Sequence, residues 1–251
     1  MTLDPIRRLL TMGHDVAQMP ISHFPQCKKV CFICVNCFKS YRGNLGVAPI
    51  NDSVSFAKLM KNFDFEIYIL QTPHKRNFLN IFDKILQNTT QQLVFYYAGQ
   101  PLVDLDLTDG KDIYHFKFDD GVIPQVEVVQ HVAANKNPES ELFLITHRAP
   151  KGSIFAFGEG TVEGEQMPPK CVSICAVRDA QAAMNQTMTM ANDEGIFTYT
   201  LCKDIKEIRD ATPNQIQQAM RKTIADYGHV VAVGLTSPEM GDKPMFQIEF
   251  D

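Results

Sequence analysis

Four cysteines stand close together near the start of the chain, at positions 27, 31, 34 and 37. Thiolates at such spacings bind zinc when their side chains converge on one point. Residues 29–38, however, form an almost continuous apolar run with β-branched and aromatic members, which is typical of a buried strand. Because side chains alternate between the two faces of a strand, Cys34 should point away from Cys31 and Cys37. We therefore expect buried apolar thiols here and not a zinc site.

A cysteine beside a histidine would supply a nucleophile together with its base. Cys175 lies in a later apolar run, and His147 follows another. A core thiol and a surface imidazole are the ordinary interpretation of these positions. A rearranged dyad of Cys175 and His147 remains an alternative.

Carboxylates are concentrated between residues 101 and 121. Calcium takes about six to eight oxygen ligands, often from aspartates. This segment offers four candidates, Asp109, Asp112, Asp119 and Asp120. Our main expectation is a solvated acidic loop that carries a short hairpin around residues 113–118. Calcium binding is a secondary expectation, and we expect no other cofactor.

Alternating strand-like and helix-like segments must position these side chains. Apolar strand-like runs cover residues 29–38, 65–70, 92–97, 141–146, 170–177 and 229–235. Helical patterns cover residues 51–62, a segment opened by Thr72-Pro73, residues 126–134 and 195–205, and a segment from the capping box at Thr212 to about Tyr227. Two strand–helix–strand units near the start predict parallel strands joined by right-handed crossovers. The whole pattern predicts a three-layer α/β/α fold with a central, mostly parallel sheet of at least six strands.

The composition is that of an ordinary globular protein. Of 251 residues, 45% are hydrophobic and 21% are charged, and the net charge is −5. Such an acidic chain is not expected to bind nucleic acid or an anionic membrane. No apolar run reaches transmembrane length, and seven unevenly spaced cysteines are typical of reduced thiols. We therefore expect a cytoplasmic protein.

The ends of the third and fourth predicted strands point to a family. They are YYAGQ (96–100) and ITHRAPKGS (145–153). Together with the order of elements, they resemble the caspase-like cysteine peptidases of family C14, and the metacaspases in particular. Four further stretches are similar to family motifs: the strand 29–36, GVAPIND (46–52), SICAVRDAQ (173–181) and GIFTYTL (195–201). The resemblance implies one caspase-like domain over residues 27–251, preceded by an N-terminal extension of residues 1–26. It also implies a monomer, because metacaspases carry extra strands that block the caspase dimer edge.

The resemblance also assigns the catalytic positions, and both are substituted. Gln100 stands where the family has its catalytic His, and Arg148 stands where it has its nucleophilic Cys. An amide does not titrate near neutral pH, and a guanidinium is no nucleophile. Neither can replace the thiolate–imidazole pair, whose loss removes several orders of magnitude in rate. The resemblance therefore implies an inactive homologue and not an enzyme.

In metacaspases a pocket at the same strand ends holds the basic side chain before the scissile bond. Asp52 matches the family pattern, whereas Ala98 and Thr146 replace its Ser and Asp, and His147 lies beside them. We hypothesise that Arg148 reaches Asp52 and fills this pocket from inside, since a guanidinium matches a carboxylate. The alternative is that positions freed from catalysis hold whatever residues pack there.

These observations predict a pseudo-peptidase of the metacaspase type that acts as a binding or regulatory protein. Its partner would be a protein or peptide, such as an active metacaspase relative, bound in the cleft between the two strand ends. One alternative is a peptidase or hydrolase that uses Cys175 with His147, which a reactive thiol would reveal. Another is a calcium-responsive module, which would gain thermal stability from the ion.

Overall fold

The fold was analysed in a computed structural model that describes residues 4–20, 24–37, 47–99, 101–105, 112–149, 167–178, 195–227 and 229–247. Its strands are β1 (His14–Asp15), β2 (Cys27–Val35), β3 (Glu66–Gln71), β4 (Thr89–Ala98), β5 (Pro101–Leu105), β6 (Asp112–Phe118), β7 (Gly121–Pro124), β8 (Glu141–Ala149), β9 (Cys171–Arg178) and β10 (His229–Leu235). Its helices are α1 (Pro5–Leu10), α2 (Ala48–Lys61), α3 (Lys75–Asn88), α4 (Gln125–Asn135), α5 (Ile196–Glu207) and α6 (Pro213–Ile224).

Seven strands form the larger sheet, in the order β1-β3-β2-β4-β8-β9-β10. Every neighbouring pair is parallel except β9 with β10, so the predicted three-layer, mostly parallel α/β fold is confirmed. The six predicted strands are all present. The additional strand β1 pairs with β3 through His14 and Asp15 alone, and two residues are too few to show a strand period.

The larger sheet is covered on both faces, as its apolar strands require. We call the side chains between the sheet and helices α2, α5 and α6 the first core, and those between the sheet and helices α3 and α4 the second core. Alternation along β2 places Cys31 in the first core and Cys34 in the second, while Cys37 packs against the first. The predicted divergence of these cysteines is therefore confirmed.

Helix α3 begins later than predicted. We expected Thr72-Pro73 to open it, but Thr72 has a φ of 40° and the helix starts at Lys75. The Asp120 carboxylate accepts the Lys75 backbone N–H at 3.0 Å and so caps the helix from a turn that is distant in sequence. Local sequence could not show a cap of this kind. The capping box predicted at Thr212 is confirmed.

The acidic segment after β4 is more regular than the predicted loop with a short hairpin. Its strands β5, β6 and β7 form a three-stranded antiparallel sheet, here called the small sheet. Phe116 and Phe118 of β6 are buried in the second core. The Lys117 carbonyl between them accepts hydrogen bonds from Tyr97 Oη at 2.8 Å and Asn36 Nδ2 at 3.0 Å. These bonds fix the small sheet against the carboxyl ends of β2 and β4.

Both ends of the described chain are tied to the larger sheet. In the N-terminal extension, Leu9 is buried in the first core and Val16 in the second. Near the other end, Lys29 donates to the Gln247 carbonyl at 2.6 Å, and Gln92 donates to the Met245 carbonyl at 3.1 Å. Among the residues described, no helix is long and apolar enough to cross a membrane.

Candidate functional site

The carboxyl ends of β2, β4 and β8 meet at one edge of the larger sheet. Val35 pairs with Ala98, and Tyr97 pairs with Thr146. Gln100 comes two residues after Ala98, and Arg148 comes two residues after Thr146. Gln100 lies outside the described residues, as does the side chain of Arg148, although its backbone belongs to β8.

Strand β8 carries an irregularity at this edge. Thr146 pairs with Cys175 and Ala149 pairs with Val177, so three steps along β8 match two along β9. A β-bulge of this type re-aims the side chains of the inserted residues. The bulge covers His147 and Arg148, whose side chains lie outside the described part of the chain.

Asp52 is buried inside the fold. Its side chain lies in the second turn of α2 with 1% exposure, and its Oδ1 accepts the Gly195 backbone N–H at 2.7 Å. Gly195 is the N-cap residue of α5, so the carboxylate joins the beginnings of two helices, where helix dipoles favour negative charge. The proposed contact of Arg148 with Asp52 stays a prediction, because the guanidinium is not among the described groups.

A second polar contact links the same face of the sheet to α5. Tyr96 Oη and Thr198 Oγ1 lie 2.7 Å apart, and both side chains are fully buried. Burial raises the pKa of the Tyr96 phenol well above its usual value, and the nearby Asp52 carboxylate raises it further. Sequence analysis missed this contact, although the motifs containing the two residues were both noted.

The other predicted pocket residues divide between the two faces of the sheet. Ala98 belongs to the first core, on the side of Asp52. Thr146 pairs with Tyr97 of the second core and alternates with Ile145 of the first, so it faces the second core. Its hydroxyl is buried and has no hydrogen-bond partner among the described residues. The structure therefore brings Asp52 and Ala98 to one face and separates them from Thr146.

All seven cysteines lie among the described residues, and all are free. Cys31, Cys34, Cys171, Cys175 and Cys202 are buried, and Cys27 and Cys37 are half-buried. Burial raises the pKa of Cys37 to about 11 and that of Cys171 to about 12. It also raises the pKa values of Cys31 and Cys34 far above the ordinary range. Cys175, the alternative nucleophile, has no exposed surface.

The predicted calcium residues are only partly described. Asp109 lies outside the described residues, and of Asp112 only the backbone, in β6, is described. Asp119 and Asp120 are exposed at the turn between β6 and β7, where Asp120 caps α3. No group of three or more His, Cys, Asp or Glu side chains is arranged for a metal ion within the described ranges.

Comparisons with known proteins add evidence on the family and the fold. A family model of the caspase domain of C14 peptidases matches residues 27–232. No curated protein matches the chain.

Several solved structures are similar in fold. A crystal structure of a Geobacter sulfurreducens protein has a TM-score of 0.68 at 10% identity, covering 89% of this chain and 100% of that one. Caspase-1 from Spodoptera frugiperda has a TM-score of 0.55 at 11% identity, covering 85% and 88%. The Drosophila initiator caspase Dronc has a TM-score of 0.58 at 14% identity, covering 87% and 84%. At these identities the likeness shows the fold alone.

Proposed function

The chain belongs to the caspase-domain family, and we propose that it is a pseudo-peptidase, a binding or regulatory protein that keeps the fold without proteolysis. The observation that carries the proposal is the absence of the required residue types at the ends of β4 and β8. Residues 96–102 contain no histidine, and residues 141–153 contain no cysteine. The proposal therefore does not depend on the exact register that assigns Gln100 and Arg148 to the two catalytic positions.

The state of the cysteines supports the same proposal. A peptidase nucleophile must be an accessible thiolate beside a base. Here five thiols are buried, and the half-buried Cys37 has a pKa raised to about 11. A rearranged site built on Cys175 would require this buried side chain to become exposed before any substrate could reach it.

The environment of Asp52 argues against a pocket that binds a basic side chain. A pocket for a basic side chain needs a carboxylate that can be reached from solvent. Asp52 is buried and already accepts a backbone N–H from Gly195. We therefore propose that the partner is a protein or peptide segment that does not rely on a basic anchor at Asp52.

Exposed apolar side chains at the beginnings of α2 and α5 suit a binding surface. Val47 directly precedes α2 with 42% exposure, and Tyr199 lies in the first turn of α5 with 44% exposure. The Asp52–Gly195 hydrogen bond joins these two helix beginnings. Aromatic residues are enriched in protein interfaces, so we propose that a partner docks on the surface that carries Val47 and Tyr199.

Two further parts of the proposal concern assembly and compartment. We propose a cytoplasmic protein on the strength of its seven free thiols. We also propose a monomer, although strand β10 is an edge strand of the larger sheet and its Val230 is 46% exposed. Light scattering of the purified chain tests this last point, and a stable dimer would contradict it.

Thiol labelling of the native full-length chain tests the proposed function. We expect no cysteine to react faster than a free thiol, and Cys37 to hold about a hundredfold less thiolate than a cysteine at its ordinary pKa of 9.0. The labelled residues are identified by mass spectrometry in the protein and in Cys37→Ser and Cys175→Ser variants. One fast cysteine that disappears in Cys175→Ser would overturn the proposal in favour of the rearranged enzyme.

A further inference from the structure

A polar groove of about 380 Å³ lies between α3, β7 and α4. Its lining includes Arg76 and Leu79 of α3, Val122 of β7 and Glu127 of α4. Helices α3 and α4 cover the second core, whereas α2 and α5 cover the first. The groove is therefore on the opposite face of the larger sheet from the docking surface proposed at the beginnings of α2 and α5.

Strand β7 is an edge strand of the small sheet. Phe118 pairs with Gly121 across a two-residue turn, and Phe116 pairs with Ile123. A two-residue turn is closed by a hydrogen-bonded pair, and such pairs alternate with pairs that share no hydrogen bond along an antiparallel ladder. Gly121 and Ile123 therefore bond to β6, whereas the N–H and C=O of Val122 point away from it.

The outward backbone groups of Val122 belong to the lining of the groove. Val122 is only half-buried, and within the described ranges no hydrogen bond joins its backbone to α3 or α4. An unpaired strand edge can accept an extended segment as an additional strand. Val122 offers the donor and the acceptor that one residue of such a segment would use.

The two helices give the groove walls of opposite charge. Helix α3 contributes Lys75 and Arg76, and α4 contributes Glu127. Asp120 also lines the groove, but its carboxylate already accepts the Lys75 backbone N–H at 3.0 Å and lies 3.6 Å from His74 Nδ1. Arg76 and Glu127, by contrast, have no side-chain hydrogen bond or ion pair in the part of the chain that the structure describes. One free cation and one free carboxylate thus line the groove beside the open edge of β7.

We propose that this groove binds a short extended peptide segment of a partner protein as an additional strand beside β7. One residue of the segment exchanges its backbone hydrogen bonds with Val122. Successive side chains of a strand point to opposite sides, so an acidic residue next to a basic one can meet Arg76 and Glu127. The occupant is therefore a segment in which residues of opposite charge are adjacent. This contact does not depend on whether the chain cleaves peptides, so its test is independent of the proposed pseudo-peptidase function.

Fluorescence anisotropy of a labelled peptide with the full-length chain tests the proposal. The probe is Thr-Val-Asp-Lys-Val-Thr, whose β-branched residues favour an extended chain. The same peptide with N-methylated Asp and Lys cannot donate to a strand edge, and it should bind about tenfold more weakly. Equal binding of the two peptides would show that no strand is added and would overturn the proposal. No binding of the first peptide at millimolar concentration would overturn it as well.

The contribution of charge is measured with a second pair of peptides. The unchanged protein should prefer the probe over its Asn-Lys analogue by about threefold, and this preference should disappear in Arg76→Glu. Arg221, an exposed arginine in the last turn of α6, supplies the matched control, and Arg221→Glu should keep the preference. Thermal unfolding verifies that both variants are folded. A preference that survives in Arg76→Glu would place the peptide elsewhere and overturn the proposal.

Discussion

The two cores of the larger sheet are built from different kinds of contact. The centre of the second core is a cluster of aromatic rings, in which Phe95 lies 4.9 Å from Phe82 and 5.7 Å from Phe78 between ring centroids. The polar contacts of the second core, from Tyr97 and Asn36, go to the Lys117 carbonyl of the small sheet. Those of the first core are the contacts of Asp52 with Gly195 and of Tyr96 with Thr198. Both of these contacts join the sheet or α2 to the beginning of α5, beside the strand ends that form the candidate site.

The two cores therefore contribute differently to the stability of the fold and to the placement of the helices at the candidate site. Aromatic packing lowers the free energy of the folded state without fixing any polar group. A buried carboxylate or phenol contributes little to stability unless its hydrogen-bond partner is well placed. When the partner is well placed, the bond fixes the relative position of the two elements that it joins. The second core should therefore dominate the stability of the fold, whereas the first core sets the arrangement of α2 and α5 at the site.

Replacing Phe95 with Ala should have the largest effect on the free energy of unfolding. The side chain is fully buried in the ring cluster, so its removal leaves a cavity that costs about 3–5 kcal/mol. Urea denaturation measures the change, with the exposed Tyr199→Ala as the control. A loss below about 1 kcal/mol would show that the cluster does not dominate stability.

Asp52→Ala should have the next largest effect. It leaves the Gly195 N–H without its acceptor in a buried place, and we expect a loss of about 1–3 kcal/mol. Asp52→Asn keeps an oxygen acceptor and should lose less. Urea denaturation of the two variants compares these losses, and an equal loss in both would mean that the charge, and not the hydrogen bond, is what matters.

A matched pair of tyrosines compares the two cores directly. Tyr96→Phe leaves Thr198 without its hydroxyl partner and should cost about 1 kcal/mol. Tyr97→Phe should cost less, because the Lys117 carbonyl keeps its hydrogen bond from Asn36. Thermal unfolding of both variants provides the comparison, and the reverse order would contradict our view of the first core.

Asp204→Asn should have the smallest effect, and that effect should depend on pH. Burial raises the pKa of Asp204, with a further increase from Glu207, so the folded state holds this proton more tightly than the unfolded state. The stability gained from protonation is present at low pH and is lost as pH rises through the folded-state pKa. The variant should thus exceed the unchanged protein at neutral pH, by well under about 1 kcal/mol, and the gain should vanish in acid. Unfolding midpoints at both pH values measure this, and a gain that persists in acid would exclude titration as its cause.

The long apolar runs made most of the fold predictable. Strand β8 begins at the predicted Glu141, because the residues from Glu141 to Thr146 are all buried and burial on both faces gives a continuous run. The start of α3 and the small sheet were not predicted correctly. Asp120 caps α3 from 45 residues away in sequence, and the apolar residues of β6 are buried by contacts with distant strands.

The candidate site was predictable only in part. The proposed substitutions at positions 100 and 148 rest on the residue types at two strand ends, and they stay a prediction. The hydrogen bond between Asp52 and Gly195 joins residues that are 143 positions apart, and neither residue type predicts it. The separation of Ala98 from Thr146 depends on which core each faces at the strand ends, and that required the register of β4 with β8.

Hydrolysis of fluorogenic peptides that end in Arg or Lys, with and without millimolar calcium, tests the central claim most directly. We predict no turnover above background in either condition, because neither strand end offers a thiolate or an imidazole base at the assigned positions. Turnover that the purified chain sustains, and that Cys175→Ser or His147→Ala abolishes, would contradict the account and establish a rearranged active site.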